Sequence, residues 1–287
     1  MNSMIDLHIH TNASDGTDSP IELLRKIRES GIRTFAITDH DTITGAIDMN
    51  GYEHDDITFI RGIEFSCRTR NTNTKCHILG LNYDYDNAEF INALRAGEEI
   101  RRKKFWRRIE ILRDDFKITF TPEEIESLMK IKSVGKPHIA NMIVSKGLAS
   151  NKQEAIDRYV NKCRTGNDRL DSEFVINAIL SSGGIPIWAH PLGGEGEKEL
   201  PEYRFKETLS ELISYGLHGL ECFYSKYDYA AICEHLESIA NQKGLYVSGG
   251  SDYHGRNKNI PLGKLNAENI IVPCERLSIT KIIEGVK

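Results

Sequence analysis

Met4-Ile5-Asp6-Leu7-His8-Ile9-His10 is an apolar run that closes on two histidines, and its reading decides the fold. On a strand, residues two apart share a face, so both rings project the same way. A lone His-x-His is most often chance, but the same ending recurs down the chain. Phe35-Ala36-Ile37-Thr38-Asp39-His40, Thr58-Phe59-Ile60-Arg61-Gly62-Ile63-Glu64 and Cys76-His77 follow the pattern. So do Ile185-Pro186-Ile187-Trp188-Ala189-His190, Gly219-Leu220-Glu221 and Val247-Ser248-Gly249-Gly250-Ser251-Asp252-Tyr253-His254. Strand-like runs that finish in His, Asp or Glu place those groups at strand carboxyl ends, the face where barrel active sites form. Packing requires no such set, so the chain reads as a multinuclear metalloenzyme.

Outward from these strands the pattern alternates strand and helix up to about residue 82. Ser19-Pro20-Ile21-Glu22 is a capping-box helix start, with Gly31 as its stop. Asn71-Thr72-Asn73-Thr74 is a polar turn between two strand-like runs, which predicts a hairpin. Near residue 87 the alternation gives way to a long charged helix over 87–116. Thr121-Pro122-Glu123-Glu124 caps a second helix, and 138–147 and 151–162 predict two more. Ser172 and Glu173 open another helix that stops at Gly183-Gly184, after which the alternation resumes. The expected division is a barrel formed by 1–98 and 169–287, interrupted by a helical insertion at 99–168.

Composition excludes several classes. The 287 residues show no basic-then-apolar leader and no run apolar enough to span a membrane. The six cysteines are scattered without a Cys-x-x-Cys pair, which favours reduced thiols in a cytoplasmic protein. Charge is uneven. Residues 99–170 hold 17 Lys and Arg against 10 Asp and Glu, a balance of +7, whereas the whole chain is −5 and the remainder therefore −12. An acidic body suits a site rich in carboxylate ligands, and a basic segment beside it suits an anionic substrate.

His8-Ile9-His10, Ser14-Asp15-Gly16, Thr38-Asp39-His40-Asp41, Gly62-Ile63-Glu64, His77-Ile78-Leu79-Gly80, Ala189-His190-Pro191 and Gly250-Ser251-Asp252-Tyr253-His254 occur in the order found in the PHP (polymerase and histidinol phosphatase) family, which the chain resembles over nearly its whole length. The insertion, with Lys136-Pro137-His138-Ile139-Ala140, looks like that of the stand-alone phosphoesterases. These act on nucleoside 3′,5′-bisphosphates and on short RNA 5′ ends. The resemblance implies a distorted (β/α)7 TIM-like barrel, an α/β fold, with a trinuclear metal site. By the same resemblance His8, His10, Glu64 and Asp252 hold one ion; Glu64, His77 and His190 a second; Asp15, His40 and His254 the third. No thiolate is in the set, so Mn²⁺, Zn²⁺ and Fe²⁺ all suit it, and the family favours Mn²⁺. Cations so arranged acidify water and stabilise an in-line leaving oxygen, with a metal-bridging hydroxide as nucleophile.

Other residues carry weaker readings. His40, His254 and Asp39 are expected at the catalytic centre, with Asp39 orienting a ligand histidine. Asp15 alone reads equally as a turn aspartate. Lys136 and His138 either grip a substrate phosphate or are an exposed lysine and a helix-start histidine. Within Arg101-Arg102-Lys103-Lys104-Phe105-Trp106-Arg107-Arg108, the spacing of Phe105, Ile109 and Leu112 favours core packing with a solvated basic face. Glu221 supports a ligand from behind or meets substrate, Asp41 caps or turns the chain, and Lys281 and Lys287 fall on a C-terminal helix. The stretches Leu192-Gly193-Gly194-Glu195-Gly196-Glu197 and Gly166-Asn167-Asp168-Arg169-Leu170 depart from the subgroup and leave the substrate open. The leading expectation is a metal-dependent phosphoesterase acting on nucleotides or RNA ends, as an exonuclease would, in a chain with no dimer signal. Behind it stand a histidinol phosphatase-like enzyme, an amidohydrolase and a non-catalytic module of the same family.

Overall fold

The computed structural model describes residues 4–54, 56–166, 168–194 and 198–283. Asn167, Glu195-Gly196-Glu197 and Lys287, touched on above, lie outside the described residues. Eight strands make one sheet: β1 (Met4–Ile9), β2 (Ile32–Ile37), β3 (Thr58–Arg68), β4 (Lys75–Leu81), β5 (Leu170–Asp171), β6 (Ile185–Ala189), β7 (Gly219–Tyr224) and β8 (Tyr246–Gly250). Their order is β1-β2-β3-β4-β6-β7-β8, with the short β5 beside β3. A parallel bridge between Ile9 and Tyr253 brings the two ends together, so the sheet is a nearly closed barrel.

Ten helices accompany the strands among the described residues: α1 (Pro20–Ser30), α2 (Thr44–Met49), α3 (Ala88–Phe116), α4 (Pro122–Met129), α5 (Lys136–Ser145), α6 (Lys152–Arg158), α7 (Ser172–Ser181), α8 (Glu202–Ser214), α9 (Glu234–Lys243) and α10 (Thr280–Ile283). The Ser19 capping box starts α1, and Gly31 ends it at φ 76°, a left-handed turn that glycine makes without a Cβ clash. The capping box of Thr121 starts α4 in the same way. Sequence gave no warning of the short α2, which has no side-chain cap. Lys281 lies on α10, as expected.

One strand departs from the parallel expectation. β4 runs antiparallel to both β3 and β6, and the Asn71–Thr74 turn forms the β3–β4 hairpin. His77 therefore sits near the start of its strand rather than at the end. Reversing the strand brings its amino end to the mouth where the other strands finish, so the ring arrives at the same place. Likewise Glu64 is mid-strand, because β3 continues to Arg68 alongside β4.

The seam between β1 and β8 is stitched by polar groups. His10 N–H donates to Tyr253 O at 2.9 Å and Asp252 N–H to His8 O at 2.8 Å. The Asp6 carboxylate accepts from Ser251 N–H (2.9 Å), Ser251 Oγ (2.6 Å) and Gly263 N–H (2.8 Å). Burial of Asp6 outweighs these bonds and pushes its pKa up to about 6. A Cβ at Gly250 would collide with the His8 backbone and Cβ, so this close approach needs glycine.

Apolar packing falls into three clusters. The largest joins β3, β4 and β6–β8 to their helices through residues such as Phe65, Ile78, Trp188 and Phe223. A second packs α1 (Leu23, Leu24, Ile27) on Phe35 and Ile9. The third belongs to the far half of α3 with α4–α6: Phe105, Leu112, Leu128, Ile139, Ile143 and Ala155. Each large side chain so buried contributes about 1.5–3 kcal/mol. The predicted stripe is thus core, with Arg102, Lys103 and Arg107 exposed; Arg108 is buried, and Arg101 turns inward to Asp41.

Candidate metal centre

At the barrel mouth, four overlapping groups of donors lie within 4.8 Å of one another: His10, Asp15, His40 and His254; His8, His10 and Asp252; His8, Glu64 and His190; His40, Glu64 and His77. All nine residues singled out as metal ligands are present, drawn from β1, β3, β4 and the turns after β1, β2, β6 and β8.

Glu64 is the hub. Its Oε2 lies 3.4 Å from His8 Nε2, 3.3 Å from His10 Nε2 and 2.9 Å from His40 Nδ1. Oε1 lies 2.8 Å from His77 Nδ1 and 3.1 Å from His190 Nε2. Asp252 Oδ1 is 3.6 Å from His8 Nε2 and 3.3 Å from His10 Nε2. His254 Nε2 is 3.1 Å from Asp15 Oδ1, and His40 Nε2 is 3.9 Å from Asp15 Oδ2.

Two observations test whether a cation fits. With N and O ligands at about 2.1 Å, neighbouring donors around one ion stand about 3.0 to 3.4 Å apart, and the distances here, 2.8 to 3.9 Å, bracket that range. In addition, His8 Nε2, His10 Nε2, Asp15 Oδ1, His40 Nδ1 and Glu64 Oε2 are buried without a hydrogen-bond partner. Orphaned buried polar atoms are costly, and divalent cations held by these groups would satisfy all five. His, Asp and Glu clusters of this kind fit divalent metal binding.

Electrostatics agree. Burial disfavours ionised Glu64, yet His40, His77 and His8 hold it well below the usual carboxylate range. Burial likewise opposes charge on Asp252, and Lys258 and His254 overcome it. Burial depresses His10, but Asp252 and Glu64 prevail and hold it at about 9. For His40 burial wins, pushing it to about 4. The centre carries anionic carboxylates facing imidazoles that must be neutral to ligate.

The supporting shell differs from expectation at Asp39. Its Oδ1 accepts from Thr11 N–H (2.8 Å) and Ser14 Oγ (2.5 Å), and its Oδ2 from Thr11 Oγ (2.6 Å). Its link to a histidine runs through Ser14, 3.4 Å from His10 Nδ1, so it shapes the loop before Asp15 rather than gripping a ring. Glu221 does the gripping: Oε1 meets His8 Nδ1 at 2.9 Å, and Oε2 accepts His190 N–H at 2.6 Å. One buried carboxylate thereby sets the tautomer of His8 and the turn that presents His190.

His254 Nδ1 meets Asp252 O at 2.8 Å, freeing Nε2 for Asp15. His190 and Asp252, both among the nine donors, hold positive φ, 29° and 59°, unusual for non-glycine residues. Asp41 accepts Ser66 N–H (2.8 Å) and Arg101 Nε (2.5 Å), tying α3 to the mouth. Sequence reasoning missed Tyr224 and Lys258, both bonded to Asp252 Oδ2 (3.1 and 2.6 Å).

Beside the centre a groove of about 670 Å³ runs from His77 and His190 past Lys136 and Arg169 to Lys75 and Arg204. No carboxylate lines it among the described residues. Lys136 reaches Asn161 Oδ1 at 2.8 Å, and Arg169 keeps a buried Nη1 without a partner. His138 faces inward instead: its Nδ1 accepts Gly135 N–H at 2.9 Å, and it bonds the Ser14 backbone, pinning α5 to the Asp15 loop.

Comparisons with known proteins agree with this geometry. Residues 6–166 match the model of the PHP domain. The chain is 29% identical to a 5′-3′ exoribonuclease of Haemophilus influenzae over 95% of this chain and 98% of that protein. It is 26% identical to a phosphoribosyl 1,2-cyclic phosphate 1,2-diphosphodiesterase of Eggerthella lenta (89% and 96%). A solved Bifidobacterium adolescentis protein, provisionally called a metal-dependent phosphoesterase, superposes with a TM-score of 0.79 at 26% identity, covering 96% of each chain. No described helix is long and apolar enough to cross a membrane, and no disulfide joins described cysteines. With the donors, the strand order and the matched residues in accord, this chain belongs to the PHP domain family.

Proposed function

We propose that the protein is a metal-dependent phosphoesterase that hydrolyses phosphate esters of nucleotides, a nucleoside 3′,5′-bisphosphate or an RNA 5′ end. The observation that carries it is the convergence of nine His, Asp and Glu donors, five with orphaned buried atoms, beside a groove lined by Lys75, Lys136, Arg169 and Arg204. In this reading His8, His10, Glu64 and Asp252 hold one divalent ion; Glu64, His77 and His190 a second; Asp15, His40 and His254 a third, with Mn²⁺ the preferred metal. When bound, such cations supply Lewis-acid polarisation of the phosphoryl group and acidify water.

The chain's own groups do the rest. Lys136 and Arg169 draw substrate phosphate into the groove, Lys136 as a point charge and Arg169 as a fork. Glu221 keeps His8 in its ligating tautomer, and His138 holds the Asp15 loop in place. Residues 99–168 form the cap that brings Lys136 to a barrel made of 1–98 and 169–287.

The relatives' names differ in substrate but share a phosphate ester, which supports the reaction class more firmly than the substrate. The test is phosphate release by the Mn²⁺-loaded protein. Adenosine 3′,5′-bisphosphate and a 5′-phosphorylated RNA oligomer are compared with 3′-AMP, 5′-AMP and histidinol phosphate. Preference for either of the first two is expected. Turnover of histidinol phosphate alone would replace the nucleotide reading, and silence on every ester with metal bound would remove it.

A further inference from the structure

Asp252 has two oxygens with different surroundings. Oδ1 faces His8 Nε2 and His10 Nε2 (3.6 and 3.3 Å). Oδ2 is taken on the other side by Lys258 Nζ at 2.6 Å and by the Tyr224 hydroxyl at 3.1 Å. Among the described residues Lys258 is the only Lys or Arg in ion-pair contact with any of the nine donors. A cation beside a cation site is unfavourable on charge alone, so its placement calls for another reason.

The backbone supplies one. Asp252 is pinned at φ 59°, with its N–H on His8 O and its carbonyl on His254 Nδ1. Little freedom remains except rotation of the carboxylate, and the two donors on Oδ2 remove it. Lys258 itself is delivered by the turn Gly255–Asn257. That turn is held from both sides: Asn257 Nδ2 donates to Asp15 O at 2.7 Å, and Lys152 of α6 donates to Asn257 O at 2.5 Å and Oδ1 at 3.1 Å.

Resting on the metal reading above, we propose that Lys258 is a positioning residue that makes Asp252 a one-oxygen ligand. Tyr224 acts with it on the same oxygen, and Lys152 steadies the turn that carries it. The presented oxygen is aimed by a strap whose far anchor is the helical segment rather than the barrel.

The experiment is Mn²⁺ binding by calorimetry, with metal content after dialysis, on the full chain stripped of metal and on Lys258→Met, Lys258→Arg and Tyr224→Phe. If Lys258 aims Asp252, Lys258→Met binds one ion about 10- to 100-fold more weakly. Tyr224→Phe shows a smaller loss in the same direction, and Lys258→Arg recovers part of it. Unchanged or tighter Mn²⁺ binding by Lys258→Met overturns the proposal, because a lysine that only balances charge would hinder the metal. Should Lys258→Met fail to fold, wild-type affinity in both other variants overturns it equally. If the wild-type chain takes up no Mn²⁺, the proposed function fails as well. Normal wild-type uptake with unaffected variants sinks the strap alone.

Discussion

At the barrel mouth, donors from three strands and from the turns after four converge, held by buried hydrogen bonds: Glu221 on His8, Asp39 on the Asp15 loop, Asp6 across the seam. In the far half of α3 with α4–α6, cohesion comes instead from a separate apolar cluster around Phe105 and Ile139. That unit meets the mouth through polar contacts such as Arg101–Asp41, His138–Ser14 and Lys152–Asn257. The contrast separates two tasks. Chemistry sits on strands that cannot shift without breaking a network. In the proposed reading, substrate selection falls to helices with a core of their own, attached at a few places.

The largest effect expected is on activity. Asp252→Ala or His77→Ala should lower phosphate release about 10³-fold or more while far-ultraviolet dichroism stays near wild type, since about 4 kcal/mol or more of transition-state stabilisation depends on the cations. Retained turnover in both would break the assignment of chemistry to the mouth. Next, Phe105→Ala should cost about 3–5 kcal/mol, read as an early thermal transition, with Mn²⁺ uptake nearly unchanged. Loss of uptake in step with unfolding would show that the two regions are one cooperative unit.

Glu221→Gln keeps the shape but weakens the hold on His8, and should cost about 10- to 100-fold in metal affinity. pH sharpens the same point. His10, held at about 9 by Asp252 and Glu64 against burial, is protonated at neutral pH in the metal-free protein. Metal must displace that proton, so apparent affinity should rise with pH up to about 9, with protons released on binding. Calorimetry in buffers of different ionisation enthalpy measures the release; affinity flat across that range would refute it. The smallest effect is expected in the groove: Lys136→Ala or Arg169→Ala should lower kcat/KM about tenfold for the bisphosphate and less for a monoester. An equal loss on both would deny the helical side a role in selection.

Strand endings made the mouth legible, because an apolar run stopping in His or Glu has a chemical meaning wherever the strand lies. Strand direction was legible only in part: the Asn71–Thr74 turn signalled the hairpin that reverses β4, yet Cys76-His77 was still read as a strand ending like the others. Supporting residues were legible only in part. Glu221, a strand ending, was read as supporting a ligand from behind or meeting substrate, and it grips the His8 ring, whereas Asp39 drew attention by standing next to His40 and reaches a histidine only through Ser14. Lys258 lies in Arg256-Asn257-Lys258-Asn259, polar sequence that resembles any exposed loop. The helical core could be read because 3.6-residue periodicity is local, and Arg101's turn inward could not because its partner is on another element.

The seam has a consequence for how the molecule assembles. The β3–β4 hairpin brings Glu64 and His77 together by a short loop, so that part of the centre can form early and at small entropic cost. His8 and Asp252 stand near opposite ends of the chain and meet only when the ring closes. A cation between them would act as a clasp on that closure. Its loss should release β1 from β8 first, so amide exchange at His10 and Asp252 reports on metal before any other part of the barrel loosens.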